Sequence, residues 1–89
     1  MKLLFTHSAQ RDLVRLRNFI AEHNPDAARS ISRRLVTSIN RLADQPEMGI
    51  DVEELHGTQD LITGDYIVRY AVLEEDIYIL RIWHGKEDR

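Results

Sequence analysis

Arg69, Arg81, His84 and Lys86 are the residues of this chain whose types and spacing could do chemistry. Metal-free cleavage of RNA needs a base for the 2′-hydroxyl, an acid for the leaving oxygen, and cations that hold a charged phosphorane. These four side chains could supply part of that set. They fall in an acidic stretch, however: residues 42–89 carry four Lys and Arg against twelve Asp and Glu, a balance of −8, whereas residues 1–41 carry eight against three, a balance of +5. The acidic half opposes the approach of a polyanion unless those few cations dominate locally, so direct nucleic-acid binding is not expected. The structural alternative is that Arg69 and Arg81 pair with Glu53, Glu54, Glu74 or Glu75 across a sheet, with His84 a structural residue at a strand end.

Other reaction classes find less support. His7, His23, His56 and His84 are scattered, each at an expected element end, and no His-x-x-x-His pair, phosphate loop or dinucleotide glycine pattern occurs. No strand-turn-helix elbow announces a serine nucleophile. The chain has no cysteine, so disulfides and thiolate chemistry are excluded, which is compatible with a reducing cytosol. No metal, cofactor or dedicated catalytic residue is therefore expected. No apolar run approaches the roughly 18 residues of a membrane span, and residues 1–5 are too short for a secretory core. A cytoplasmic chain without a membrane partner is the expectation.

The elements that must position the cations start from residues 66–84. Two runs rich in β-branched and aromatic residues, 66–73 and 77–84, flank Glu74, Glu75 and Asp76, which predicts an antiparallel hairpin with a loop of about three residues at the centre of a sheet. Val68, Tyr70 and Val72 fall on one face, and Ile67, Ala71 and Leu73 on the other. Strands apolar on both faces are covered on both sides, here by the chain's helices and by more chain or a partner. Arg69 and Arg81 share the parity of Ile67 and Trp83, so register could join them into one basic and aromatic face. That face is the candidate for function.

Upstream, residues 2–7 read as a first strand, and Ser8 as the cap of a helix from about Ala9 to Glu22, with Ala9, Leu13, Leu16 and Ile20 at helical spacing and Val14 and Phe19 widening the stripe. Asn24, Pro25 and Asp26 suit a stop and a restart, so a second helix reaches about Ala43, tightly connected to the first. Arginines 29, 33, 34 and 41 lie mainly off its apolar stripe and suit phosphate or an acidic partner, or simply a soluble helix. Residues 50–55 predict a short edge strand with Val52 and Ile50 pointing inward; residues 56–60 are turn-like and Leu61 and Ile62 return to the core. The whole is one domain of 89 residues, α+β in the order β-α-α-β-β-β: a helical hairpin packed on a small twisted, mainly antiparallel sheet.

These residues match a known pattern. Ser8-x-x-x-Asp12-Leu13, Asn24-Pro25-x-Ala27-Ala28 and Leu42-x-x-x-Pro46-x-x-Gly49 are followed by Tyr66-Ile67-Val68-Arg69-Tyr70-x-Val72, Ile79-Leu80-Arg81-Ile82-Trp83-His84-Gly85 and Glu87-Asp88-Arg89. In that order they resemble the RelE/ParE superfamily of bacterial type II toxin–antitoxin toxins, and in particular its ParE-like branch. The resemblance implies a toxin–antitoxin hetero-oligomer, with a cognate antitoxin whose extended segment wraps the toxin and covers the second sheet face. It implies stoichiometric inhibition of DNA gyrase in the ParE-like branch, and ribosome-dependent mRNA cleavage in the RelE-like branch. A decayed, non-toxic antitoxin-binding module is a third outcome. The positions at which the RelE-like branch carries its lysines and arginines fall here on Thr58, Asp60, Ile67 and Glu87, and the sequence ends before that branch's tyrosine. The expected contact residues are Arg69, Arg81, Trp83, His84, Lys86 and Arg89.

Overall fold

The computed structural model of the chain describes residues 1–87, and Arg89 lies outside the described residues. The elements are β1 (Leu3–Phe5), α1 (His7–His23), a 3-10 turn (Pro25–Ala27), α2 (Ala28–Arg41), β2 (Ile50–Asp51), β3 (Thr58–Thr63), β4 (Tyr66–Leu73) and β5 (Asp76–His84). The sheet order is β1-β5-β4-β3-β2, with β1 parallel to β5 and every other neighbour antiparallel. The expected α+β architecture is the observed one, and the β4–β5 hairpin sits inside the sheet. One strand is additional: β3 occupies residues read from sequence as a turn and a return to the core.

Helix α1 starts earlier than expected because Thr6, not Ser8, is its cap. The Thr6 Oγ1 accepts from the Ala9 amide at 3.1 Å and donates to the Leu80 carbonyl at 3.0 Å, while the Thr6 amide donates to the Ile79 carbonyl. One hydroxyl thus ends β1, starts α1 and ties both to β5, a competition Ser8 cannot win from inside the first turn. Pro25 opens a 3-10 turn rather than α2 itself, and Asn24 makes no side-chain cap. At its other end α2 stops at Arg41, and successive turn hydrogen bonds carry the chain through Asp44 and Gln45.

Residues 42–49 are fixed by one core side chain. The fully buried Tyr70 donates to the Pro46 carbonyl at 2.7 Å and accepts from the Gly49 amide at 2.8 Å. A Cβ on Gly49 would stand 2.6 Å from that phenol oxygen, so the glycine there is a matter of space. Strand β2 is shorter than the expected 50–55 because the Val52 amide donates to Thr58 and the chain then turns at Leu55 and Thr58. Ile50 is exposed rather than inward, and Ile62 is 61% exposed while its neighbour Leu61 is buried, as strand alternation requires.

The core lies between helices and sheet: Leu16, Ile20, Leu35 and Ile39 meet Val68, Tyr70, Ile77, Ile79 and Ile82. A bulge makes that set possible. Arg69 faces Arg81 but Tyr70 faces Ile79, so Leu80 has no partner opposite, and the extra residue returns Ile82 and His84 to the helix side after Ile77 and Ile79. The hairpin loop is two residues, shorter than expected, because Asp76 pairs with Leu73; Glu74 turns it at φ 59°. Gly64 has the same φ between β3 and β4.

Candidate functional site

Register assembles the face anticipated from parity. Across β3, β4 and β5, Asp60 faces Arg69, which faces Arg81, and beside this charged row runs the apolar row Ile62, Ile67 and Trp83. Two arginines directly opposite each other repel, and each is neutralised from its outer side. Arg69 forks onto Asp60 with bonds of 2.9 and 3.1 Å, and its guanidinium lies 5.0 Å from the centre of the Trp83 ring. Arg81 forks onto Asp12 of α1, at 2.8 and 3.3 Å. The partners are Asp60 and Asp12, not the glutamates expected from sequence.

Asp12 does more than pair with Arg81. Strand β1 ends at Phe5, so β5 has an unpaired edge from Ile82 onward, and α1 covers it with side chains. The Ile82 amide donates to Asp12 at 2.8 Å, and the Ile82 carbonyl accepts from Arg15 at 2.9 Å. Arg15 also pairs with Asp12 and with Glu87, and Glu87 accepts from the His84 amide at 2.8 Å. Burial raises the Asp12 pKa, but the bonds from Arg81, the Ile82 amide and Arg15 outweigh it and hold the carboxyl below its ordinary value. For Glu87 the Arg15 hydrogen bond leads, and the result is again a lowered carboxyl.

His84 and Lys86 are on the other side of the sheet. His84 faces Tyr66 in the row next to Val68 and Ile82, and its Nδ1 accepts from the Lys86 amide at 3.0 Å. Both residues line a cleft of about 620 Å³ between the C-terminal end of α1, α2 and the β3–β4 turn. The four cations that could have formed one catalytic group are therefore divided: Arg69 and Arg81 belong to the outer face, and His84 and Lys86 to the cleft. Asp12, Arg15, Asp60 and Glu87 were not singled out as site residues. Asp12 left a signal, because Ala9, Asp12, Leu16 and Ile20 share one helical face and a carboxylate on a buried stripe needs partners.

A family model described as "ParE toxin of type II toxin-antitoxin system, parDE" matches residues 3–89. The chain belongs to the ParE toxin family. Among relatives of this ParE-family toxin, Toxin RelE1 of Caulobacter vibrioides is 30% identical over 89 residues, covering 98% of this chain and 96% of its own. Toxin RelE2 of the same organism is 31% identical over 88 residues, covering 94% of each. The fold recurs in the chromosomal ParDE TA system from P. aeruginosa, with a TM-score of 0.81 at 22% identity over 94% of this chain and 95% of that one. It recurs again in the toxin–antitoxin complex RelBE2 from Mycobacterium tuberculosis, with a TM-score of 0.66 at 25% identity over 93% and 95%. No helix among the described residues of the ParE-family chain is long and apolar enough to cross a membrane.

Proposed function

We propose that this ParE-family toxin acts by binding, holding DNA gyrase in a stoichiometric complex in the cytoplasm, and that a cognate antitoxin neutralises it in a hetero-oligomer. The outer sheet face carries the reading. Its arginines are committed to Asp60 and Asp12 and lie on the opposite side of the sheet from His84 and Lys86, so Arg69, Arg81, His84 and Lys86 do not assemble around one point. What the face offers instead is the arginine pair Arg69 and Arg81, with Arg69 lying over Trp83, itself only 6% exposed, beside the exposed Ile62. Such anchors dominate interface energies. His84, Lys86 and Arg89 stand as further contact residues.

For the antitoxin, the helical hairpin is the complementary surface. It carries the basic balance of residues 1–41, exposes Val36 in a shallow groove between α1 and α2, and exposes Val14 on α1. An acidic amphipathic segment fits that chemistry. The toxin–antitoxin complex RelBE2 among the structural relatives, with the family match, supports an antitoxin partner.

Cleavage of mRNA is the second reading, favoured by the RelE names of the relatives. Pulse-labelling of DNA and protein synthesis just after induction without antitoxin separates the two. Early loss of DNA synthesis, followed by trapping of purified gyrase on cleaved DNA, is the expected outcome. Early collapse of translation overturns the gyrase reading in favour of mRNA cleavage.

A further inference from the structure

We infer that the cleft on the helix side of the sheet is a binding site for a free nucleoside phosphate, with its base on Phe19 in a ring ladder that also holds His23, His84 and Tyr66, and its phosphate on Arg34 and Lys86. This inference does not rest on the target of the outer face. The cleft, of about 620 Å³, falls in the range of small-ligand sites. One wall is a continuous series of rings: His23 stacks on Phe19 at 4.2 Å, Phe19 meets His84 at 5.1 Å, and Tyr66 meets His84 edge-on at 4.9 Å. Tyr66 and His84 are buried and back this wall, so the ring faces open to a base are those of Phe19 and His23, and a base of any identity has a π-face to set against them.

The hydrogen-bonding groups fit the same ligand. Nδ1 of His84 accepts from the Lys86 amide, so the neutral ring keeps its proton on Nε2 as a donor. Nδ1 of His23 is bonded to the Phe19 carbonyl at 2.9 Å and must donate, so in the neutral ring Nε2 is an acceptor. One donor and one acceptor among the rings match the polar edge of a base. At the rim stand Arg34 and Lys86, both exposed, against the single carboxylate of Asp65. An aromatic side chain of a protein partner would fill the ring wall and leave both cations uncompensated. A free nucleotide confines its charge to the rim, where Arg34 and Lys86 stand.

The test is an NMR titration of the full chain with ADP, adenosine and inorganic phosphate. The expected result is saturable, submillimolar binding of ADP that shifts the rings of Phe19, Tyr66 and His84 and the Gly64 amide. Adenosine and inorganic phosphate should each bind at least about tenfold more weakly, since each meets half of the site. Arg34→Ala and Lys86→Ala, both surface changes, should each weaken ADP by about tenfold, and Arg41→Ala at the far end of α2 should not. Absence of saturable shifts at millimolar ADP overturns the inference. So does equal affinity for ADP and inorganic phosphate, or a set of shifts confined to the outer sheet face.

Discussion

Asp12 is the residue on which the edge of the sheet depends. It is 2% exposed, yet it is a carboxylate, and its oxygens hold two arginines and the Ile82 amide. Removing one partner of such a set leaves the others unsatisfied. Asp12→Ala is therefore expected to lower stability by about 3 kcal/mol in urea unfolding. Arg15→Ala should also lower stability, by about 1–3 kcal/mol, because it leaves Glu87 and the Ile82 carbonyl without their partner and takes one cation from Asp12. Acid should reveal the role of both carboxylates. Asp12 and Glu87 sit below their ordinary values of 3.8 and 4.5 in the folded protein, so the unfolded chain takes up protons first as pH falls. Their stabilisation is complete above the ordinary carboxylate range and disappears as pH drops through the folded values. Asp12→Asn should thus be less stable at neutral pH and should lose stability less steeply in acid than the parent. Parallel pH profiles for the two proteins would refute this role for the ionised carboxylate.

Among the elements, the two hairpin turns place different residues at the same backbone conformation. Gly64 and Glu74 both have φ of 59°, a region in which a side chain costs about 1–2 kcal/mol and glycine costs little. Glu74→Gly is expected to gain about 0.5–1 kcal/mol after its extra unfolded-state entropy, and Gly64→Ala to lose about 1 kcal/mol although a Cβ there meets nothing within 4 Å. Thermal midpoints of both variants check the pair. Gly49→Ala tests a different cause, the close approach of Tyr70, and Tyr70→Phe should lose about 1–3 kcal/mol by stranding the Pro46 carbonyl and the Gly49 amide. The elements were legible in sequence wherever periodicity carried them: both helices, β1, β4 and β5 stand close to where residue spacing puts them. β3 was not, because Thr58, Gln59 and Asp60 have the composition of a turn, and their strand conformation comes from pairing with β4. The Thr6 cap and the Leu80 bulge escaped for the same reason, since both are fixed by contacts between β1, α1 and β5. The outer face was half legible. Parity gave the arginines and Trp83, but the partners Asp12 and Asp60 lie far from Arg81 and Arg69 in register terms that only the fold supplies.

At the scale of the molecule, the charge division between the two halves is partly closed within the fold, because Arg15 of the basic half pairs with Glu87 of the acidic half. The remaining charge is sorted onto surfaces: a basic helical hairpin on one side, and a sheet whose outer face carries apolar residues next to ion pairs. Ile62 is 61% and Leu73 57% exposed on strands whose other members are largely covered, which is where a partner would remove apolar area from water. Neither side chain belongs to the core between helices and sheet. Ile62→Asp and Leu73→Asp should accordingly change stability by no more than about 0.5 kcal/mol, within the range of surface substitutions. If the outer face binds the target, Ile62→Asp should also weaken that complex by at least tenfold, about 1.4 kcal/mol, and blunt growth arrest on induction. Val14→Asp on the helical hairpin should leave growth arrest intact and weaken rescue by the antitoxin. The two substitutions having the reverse effects would place the target on the helices and the antitoxin on the sheet, and their having equal effects would mean that both partners span the same surface.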